Sequence, residues 1–220
     1  MSKEKCNTKI NVGIIGAGNC ASSLYQSLYY YRDNSTNELL RPYIGGYGIK
    51  DINIVCCFDV DSRKVGKNLR DALKSKPNCT PIYYDEVPDG PVVEMGEIHD
   101  GLSTLMQNYK KEESFRKSKK SPSDVVKILQ NTKTDILINY LPVGSQTATE
   151  FYANCCLKAG VSFLNCIPVF IASNPEWEQK FINAKLPLIG DDMKSQFGAS
   201  ILSQMLQELA FERGIKVNAH

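Results

Sequence analysis

The stretch INVGIIGAGNCASSLYQSL, residues 10–28, decides the fold of this chain. It opens with an apolar run typical of a buried strand, turns at glycines and continues as a helical pattern. The turn is G-x-G-x-x-A, in which Gly16 permits a tight bend, Gly18 lets a pyrophosphate approach the backbone, and the small Ala21 lets the helix pack closely on the strand. The amino terminus of the helix would face the anion. A glycine pattern alone is weak evidence, so the surrounding chain must supply the rest.

The composition is that of a globular protein without a charge bias. The 220 residues include 26 Lys and Arg against 24 Asp and Glu, a net charge of +2. This balance argues against nucleic acid and against an anionic membrane surface as partners. No apolar run approaches the ~20 residues of a membrane span, and residues 1–9 lack the apolar centre of a signal peptide. The cytoplasm is the expected location.

The eight cysteines, at positions 6, 20, 56, 57, 79, 155, 156 and 166, form no C-x-x-C pair. No histidine cluster of zinc-finger spacing accompanies them, so no metal site is predicted. A free cysteine behaves as a small buried hydrophobe, and we expect reduced core residues, with a regulatory thiol as the alternative. His99 and His220 have no triad-like or ligand-like setting, so a histidine-dependent mechanism is not indicated.

Strand-like and helix-like segments alternate along the rest of the chain. Apolar runs typical of strands occupy 52–58, 134–141, 161–167 and 186–189, with shorter pieces at 81–84 and 92–95. Helical patterns occupy 62–73, 122–129, 146–159, 176–184 and 200–213. The alternation predicts an α/β fold with a doubly wound parallel sheet, and with the glycine turn it predicts a single Rossmann-type dinucleotide-binding domain over 1–220. Residues 31–51 are interpreted as an insertion, and the charged run 110–121 as a solvated, mobile loop.

Two helix boundaries are marked by their residue types. Ser121 is the predicted N-cap of the helix that follows it, with Pro122 in the first turn. Gly160 is the predicted C-cap of the helix over 146–159.

An acidic residue, Asp59, stands where the second predicted strand ends, and Asp61 follows it. In a dinucleotide-binding unit, a carboxylate at this position accepts hydrogen bonds from the adenosine ribose, normally ~20 residues beyond the glycines. The gap here is about twice as long, which the insertion over 31–51 accounts for. The carboxylate also disfavours a 2′-phosphate, so NAD is predicted rather than NADP. Helix capping before the pattern over 62–73 is the alternative, and Asp61 in particular could do only this.

Polar segments follow several predicted strands and should meet at one edge of the sheet. They lie at 16–21, 59, 141–145, 165–168 and 190–195. Ligands lie at the carboxyl ends of the strands in open α/β sheets, so this convergence favours a nucleotide cleft. Each segment also has a structural alternative, since Asn139 and Asn165 could tie loop backbone together and Ser145 could be only an N-cap.

The segment Asp191-Asp192-x-Lys194-Ser195 is the richest in reactive groups. A lysine near carboxylates could stabilise developing negative charge on a sugar oxygen, or move a proton. A capped helix with a surface ion pair is the alternative interpretation of the same residues.

Four segments carry a family resemblance: GIIGAGNCASSLYQSLYYY, FDVDSRKVGKNL, NYLPVGSQTATEFYANCCLKAGVSFLNCIPVFIAS and PLIGDDMKSQFGAS. Together they resemble the bacterial and archaeal branch of the inositol-3-phosphate synthases, also called myo-inositol-1-phosphate synthases. The likeness runs from about residue 9 to 217 in matching order and spacing. It implies an NAD-dependent isomerase that converts D-glucose 6-phosphate to 1D-myo-inositol 3-phosphate by oxidation, enolisation, intramolecular aldol closure and reduction, in inositol and phospholipid biosynthesis. Such chemistry needs a buried dinucleotide and cations that stabilise an enolate.

Motif and resemblance together imply a set of site residues. Those predicted to bind the cofactor are Gly16, Gly18, Asn19, Cys20, Ala21, Asp59, Asn68, Thr132, Tyr152 and Ser195. Asn68 stands where the family often has an aspartate, and it keeps hydrogen bonding while losing the charge. Lys194, with Asp191 and Asp192, stands where the family builds the edge between cofactor and sugar phosphate, and these three are the predicted catalytic residues.

The resemblance also implies a difference in length. Members of this branch continue beyond the position matching His220 into a second domain with further lysines and a sheet for oligomer contacts. We therefore expect this chain to hold the cofactor half, with glucose 6-phosphate and either further copies of itself or a complementing C-terminal polypeptide as partners. A fragment, a truncated gene product and one piece of a split enzyme are alternative explanations. A non-catalytic NAD-binding module and an ordinary dehydrogenase are alternative functions.

Overall fold

The predicted first strand and helix are both present, as β1 (Ile10–Ile15) and α1 (Asn19–Asp33). The computed structural model describes residues 9–34, 39–101, 108–110, 112–193 and 198–218. The last four residues of β1 are buried. Gly13 lies among them at a close approach between strands, because a Cβ there would come within 2.8 Å of the Cys56 Sγ.

The chain then alternates between strands and helices. The further strands are β2 (Tyr43–Ile44), β3 (Tyr47–Gly48), β4 (Ile52–Asp59), β5 (Val93–Met95), β6 (Ile136–Asn139), β7 (Ser162–Asn165) and β8 (Leu188–Ile189). The further helices are α2 (Leu69–Lys74), α3 (Val125–Asn131), α4 (Gln146–Ala159), α5 (Pro175–Ala184) and α6 (Ala199–Glu212). The predicted insertion contains the antiparallel hairpin of β2 and β3 and a 3₁₀ turn over Ile49–Asp51.

Six parallel strands form one sheet in the order β5-β4-β1-β6-β7-β8. β1 lies between β4 and β6, and the chain builds outward from it first to one edge and then to the other. This reversal is the switch point of a doubly wound sheet, where the loops after the two central strands diverge and leave a crevice. The predicted fold class is therefore confirmed.

Two apolar clusters cover the two faces of the sheet. One joins strand residues Ile14 and Cys57 to Leu28 of α1 and Leu69 of α2. The other joins Phe58 and Phe163 to Leu129 of α3, Ala153 of α4 and Phe181 of α5. Neighbouring residues of one strand, such as Cys57 and Phe58, thus enter opposite clusters. Because both faces are covered, the strands are continuous apolar runs, which is the pattern that predicted them.

The helix expected over 62–73 begins only at Leu69. Residues 62–66 form turns instead, and Gly66 adopts a left-handed backbone with φ +87°. The side chain of Asn68 caps the shortened helix by accepting a hydrogen bond from the Asp71 N–H at 2.9 Å.

Two further boundaries test the predicted caps. The helix expected to start at Pro122 starts at Val125, because Asp124 rather than Ser121 accepts the capping hydrogen bond, from the Lys127 N–H at 3.0 Å. The prediction at the other helix is confirmed, since Gly160 ends α4 in the left-handed conformation at φ 76°. Residues 81–84, expected to be strand-like, form no strand.

Most described cysteines are buried, as predicted. Positions 56, 57, 155, 156 and 166 are buried, whereas Cys20 and Cys79 are exposed, and all seven are free thiols. Burial raises the pKa of the Cys57 and Cys156 thiols, which keeps them neutral in the core. The expectation of a core residue is wrong for Cys20 and Cys79, and Cys6 lies outside the described residues.

Helix α6 contains no buried residue. Its side chains Leu206, Leu209 and Phe211 are each more than half exposed. Within the described ranges, no helix is long and apolar enough to cross a membrane.

Candidate functional site

A cavity of about 400 Å³ opens at the carboxyl edge of the sheet, over the switch point between β1 and β6. Its walls are the glycine turn after β1, the loops after β4 and β6, and the segment 97–101 that follows β5. The predicted cofactor residues that line it are Gly16, Gly18, Asn19, Cys20, Asp59 and Tyr152. The structure thus brings together the strand-end segments after β1, β4 and β6, whereas the described residues at 165–168 and 190–193 do not line this cavity.

The two glycines of the turn have different structural roles. Gly16 has φ +88°, and a Cβ there would lie 2.8 Å from the Tyr140 carbonyl oxygen, so the fold itself requires this glycine. Gly18 has an ordinary extended backbone and precedes α1, and a Cβ there would meet nothing within 4 Å. No side chain caps α1, whose first N–H groups lack helical partners. An anion such as pyrophosphate fits the open space at this helix terminus.

Asp59 fastens the glycine turn to the end of β4. Its Oδ2 accepts a hydrogen bond from the Ala17 N–H at 2.8 Å, and its Oδ1 accepts from the Val60 and Asp61 N–H groups at 2.7 and 2.8 Å. The side chain remains 8% exposed towards the cavity. It caps no helix, so this alternative does not apply to Asp59.

Asp61 has a structural role, but not the expected one of a helix cap, because residues 62–66 form turns and Asn68 caps α2. Its carboxylate is fully buried and accepts hydrogen bonds from the backbone and guanidinium of Arg63 and from the Arg116 N–H. Burial alone would raise the pKa of Asp61, but the hydrogen bonds and charge of Arg63 outweigh it and lower the pKa.

Lys64 is a functional candidate that the sequence did not reveal. Its side chain is 1% exposed, and its Nζ donates to the Ala17 carbonyl at 2.8 Å and to the Asn78 Oδ1 at 2.9 Å. The same Nζ lies 3.8 Å from the Asp59 Oδ2. The buried Lys64 ammonium group therefore holds the glycine turn at the Ala17 carbonyl. The Asn78 Nδ2 donates to the same carbonyl.

The other predicted residues near α1 divide between packing and cavity wall. Ala21 is fully buried, as expected for close packing of helix on strand. The Asn19 Oδ1 accepts hydrogen bonds from the Cys79 and Thr80 N–H groups and so positions the chain beside the cavity. Tyr152 is buried in the wall, and burial raises the pKa of its hydroxyl well above the usual range.

Besides the buried Ala21, two other described residues predicted to bind the cofactor do not line the cavity. Thr132 ends α3, and its Oγ1 donates to the Ile128 carbonyl at 2.8 Å. It therefore lies at the amino end of β6, on the opposite edge of the sheet from the cavity. Asn68 is occupied in capping α2. Ser195 and Lys194 lie outside the described residues.

Asp191 holds two loops together. Its oxygens accept four hydrogen bonds, three from the N–H groups of residues 171–173 at 3.0 Å each and one from the Asn165 Nδ2 at 2.8 Å. Burial would raise the pKa of Asp191, but these donors lower it. Asp191 and Asp192 line a separate open cavity with the amino end of α6. Asp191 and Asp192, two of the three predicted catalytic residues, thus lie apart from the residues that line the first cavity.

Asn139 and Asn165 hold loops together, which was the alternative to a role in the nucleotide cleft. Both are fully buried, and the Asn139 Nδ2 donates to the Asn165 Oδ1 at 2.9 Å and to the Thr149 Oγ1 at 3.1 Å. Through the Asn165 bond to Asp191, this network joins the ends of β6 and β7 to the loop after β8.

We expect Asp191→Asn to lower the free energy of unfolding by ~1.5 kcal/mol at pH 7, because either orientation of the amide sets its NH₂ against two donors. The loss should shrink at pH 3. A carboxylate with a lowered folded pKa stabilises the protein above its unfolded pKa of ~3.9 and loses that contribution as the pH falls through the folded value. Urea denaturation at both pH values measures this.

Asp192→Asn is the matched control. Among the described residues, the Asp192 Oδ1 accepts only a local hydrogen bond, from the Met193 N–H at 2.8 Å, so this variant should unfold like the unmodified protein. Equal stability of the two variants would contradict the structural role of Asp191.

The segment 97–101 also forms part of the site, although no motif identified it. The Asp100 carboxylate accepts hydrogen bonds from the Thr147 and Ala148 N–H groups at 2.7 and 3.0 Å and so caps α4. Ser145 stands at the N-cap position of α4 without making that bond. The sequence offers no local signal for this cap, because Asp100 lies more than 40 residues before the helix.

Part of the charged run joins the cavity wall. Two backbone hydrogen bonds join it to the loop after β4. The Arg116 carbonyl accepts from the Ser62 N–H at 2.6 Å, and the Ser118 N–H donates to the Val60 carbonyl at 2.8 Å. Glu113 and Phe115 line the cavity. The expectation of a purely solvated loop is therefore wrong for residues 113–118.

Comparison with known proteins identifies relatives along nearly the whole chain. No protein-family model matches. The chain is 41% identical over 218 residues to the inositol-3-phosphate synthase of Mycobacterium tuberculosis, covering 97% of this chain and 58% of that protein. It is 44% identical over 213 residues to the inositol-3-phosphate synthase of Corynebacterium glutamicum, covering 95% and 57%. The chain thus spans less than two thirds of the length of these relatives.

Two solved structures share the fold. The crystal structure of Ari2 matches with a TM-score of 0.79 and 33% identity, over 96% of this chain and 62% of that one. A myo-inositol-1-phosphate synthase-related protein from Thermotoga maritima matches with a TM-score of 0.73 at 22% identity, over 94% and 60%. At that identity, the second likeness concerns the fold alone.

Proposed function

Because this chain is a homologue of the inositol-3-phosphate synthases over 58% of their length, we propose that it is the NAD-binding part of such an enzyme. The substrate in this proposal is D-glucose 6-phosphate, and the product is 1D-myo-inositol 3-phosphate. The observation that carries the proposal is the cavity at the switch point. Helix α1 begins at this cavity without a side-chain cap, and the space next to Gly18 is open.

The chain's own residues bind and orient the dinucleotide in this proposal. NAD, when bound, supplies a hydride acceptor for a sugar hydroxyl and later returns the hydride. The backbone N–H groups at the start of α1 bind the pyrophosphate, and Gly18 leaves room for it. A carboxylate has about four lone-pair positions. Backbone N–H groups take three of those of Asp59, so one can accept a ribose hydroxyl.

A non-catalytic NAD-binding module is the second candidate function. One observation favours it, namely that the described catalytic candidate Asp191 already accepts four hydrogen bonds within the fold. A carboxylate so occupied is poorly suited to exchange protons with a substrate. Under this alternative, the cavity binds NAD and another polypeptide performs any chemistry.

Calorimetric titration tests NAD binding directly. We expect NAD to bind the chain at one site and NADP to bind more weakly, because the Asp59 carboxylate repels a 2′-phosphate. Equal affinity for the two cofactors would contradict the role of Asp59. An absence of NAD binding by the folded chain would contradict the proposed function as a whole.

A turnover assay with glucose 6-phosphate and NAD separates the two candidate functions. We expect inositol phosphate only when a polypeptide corresponding to the rest of the M. tuberculosis relative is added. Turnover by this chain alone would contradict the need for a second polypeptide. NAD binding without turnover in either mixture would favour the module, and net accumulation of NADH would indicate a dehydrogenase.

A further inference from the structure

One part of the cavity has chemistry that neither the glycine turn nor Asp59 uses. We call it the β5 lobe and define it by Glu97, His99, Glu113 and Phe115, which all line the cavity. Two of these residues come from the segment after β5, and two come from the charged run. The lobe therefore combines carboxylates, an imidazole and an aromatic ring, from the segment after β5 and from the run that bonds to the loop after β4.

The Nε2 of His99 is the informative atom in the lobe. It is buried and makes no hydrogen bond with any described residue. The Oε1 of Glu97 lies 3.8 Å from it, which is too far for a hydrogen bond. The ring packs on Phe151 with centroids 4.8 Å apart, which holds it in place. Because buried polar groups are nearly always paired, an atom from outside the described chain is the expected partner of Nε2.

The strand order indicates which part of a dinucleotide reaches this lobe. The pyrophosphate belongs at the glycine turn after β1, and the adenosine ribose belongs at Asp59 after β4. β5 is the next strand outward on that side of the sheet. The group attached to the ribose, the adenine ring, therefore extends towards the β5 lobe.

We propose that the β5 lobe binds the adenine ring and that His99 and Glu97 recognise its 6-amino edge. This inference rests on the proposed NAD-binding function and adds the residues that select the base. Adenine presents an amino donor beside a ring-nitrogen acceptor at this edge. The Glu97 carboxylate accepts from the amino group, the His99 Nε2 donates to the ring nitrogen, and Phe115 provides an aromatic face for the base.

The test compares NAD with nicotinamide hypoxanthine dinucleotide, in which a 6-oxo acceptor replaces the 6-amino donor. We expect the unmodified chain to prefer NAD. His99→Leu should weaken NAD binding by about tenfold, the equivalent of one hydrogen bond. Glu97→Gln should reduce the preference for adenine, because its amide can donate as well as accept a hydrogen bond. It should leave the fold unchanged, since the Glu97 side chain is 46% exposed. Calorimetry measures the affinity of the unmodified chain and of each variant for both dinucleotides.

Two controls isolate the base from the rest of the ligand. Glu112 is a neighbouring carboxylate of the charged run that pairs with Arg116 and does not line the cavity. The Glu112→Gln variant should therefore bind both dinucleotides like the unmodified chain. Nicotinamide mononucleotide lacks adenine, so His99→Leu should not change its affinity.

The outcomes separate this inference from the proposed function. NAD affinity and adenine preference that stay unchanged in both lobe variants would overturn the assignment of the lobe while leaving NAD binding in place. Weaker binding of nicotinamide mononucleotide by His99→Leu would overturn it as well, because the effect would then not concern the base. An unmodified chain that binds no NAD would overturn the proposed function and this inference together. If His99→Leu does not fold, the preference measured with Glu97→Gln decides.

Discussion

Gly18→Val is expected to abolish NAD binding while leaving the protein folded. Gly18 has φ −91° and ψ −161°, an extended backbone without a positive φ, and an added Cβ would meet nothing within 4 Å. The chain therefore accommodates the side chain, whose branches would occupy the space where the pyrophosphate must approach. Hydrogen bonds to a charged group contribute ~1.5 to 3 kcal/mol each, so losing two of them weakens binding by at least about 100-fold. Calorimetric titration with NAD measures the loss.

Ser23→Val is the matched control, because it introduces the same side chain at an exposed position further along α1. Its NAD affinity should equal that of the unmodified chain. Gly18→Ala, with a single added methyl group, should lie between the two. A folded Gly18→Val variant that binds NAD normally would show that the pyrophosphate does not lie at the glycine turn.

Features set by short-range chemistry were predictable from the sequence. Gly160 is an example, since a helix that ends in a left-handed residue favours glycine wherever the helix lies in the fold. The strand over 52–58 is another, because a strand buried on both faces is apolar throughout. From such elements, the parallel sheet and the shared edge of its strand ends follow by topology, and the structure confirms both.

Features set by contacts between distant residues were not predictable in this way. Lys64 belongs to a basic stretch that resembles a surface helix, and only the turns over 62–66 direct its side chain inward to the Ala17 carbonyl. The position of Thr132 away from the cavity has the complementary cause. A resemblance carries residues over one by one, but this threonine lies at the amino end of β6, away from the strand ends that form the cavity.

Lys64→Met is expected to destabilise the protein and to weaken NAD binding. Methionine keeps the length and apolar stem of the side chain but removes the ammonium group, so the Ala17 carbonyl and the Asn78 Oδ1 each lose a donor, and Asp59 loses its neighbouring cation. Removing one partner from a buried ion pair costs ~3 kcal/mol or more of unfolding free energy. Since the same ammonium positions the glycine turn, NAD affinity should fall by about tenfold. Urea denaturation and calorimetry measure the two effects.

Lys67→Met is the control for the same chemical change at an exposed lysine, whose Nζ donates to the Ser75 Oγ at 3.0 Å and to no other residue of the described ranges. It should leave both stability and NAD affinity unchanged. Lys64→Arg keeps a buried cation and should recover part of the NAD affinity, whereas a purely space-filling role would make arginine no better than methionine. Hydrogen exchange without ligand adds an independent measure, because loss of the Lys64 bonds should speed exchange of the Ala17 N–H. Unchanged exchange in Lys64→Met would mean that Asp59 and Asn78 alone hold the turn.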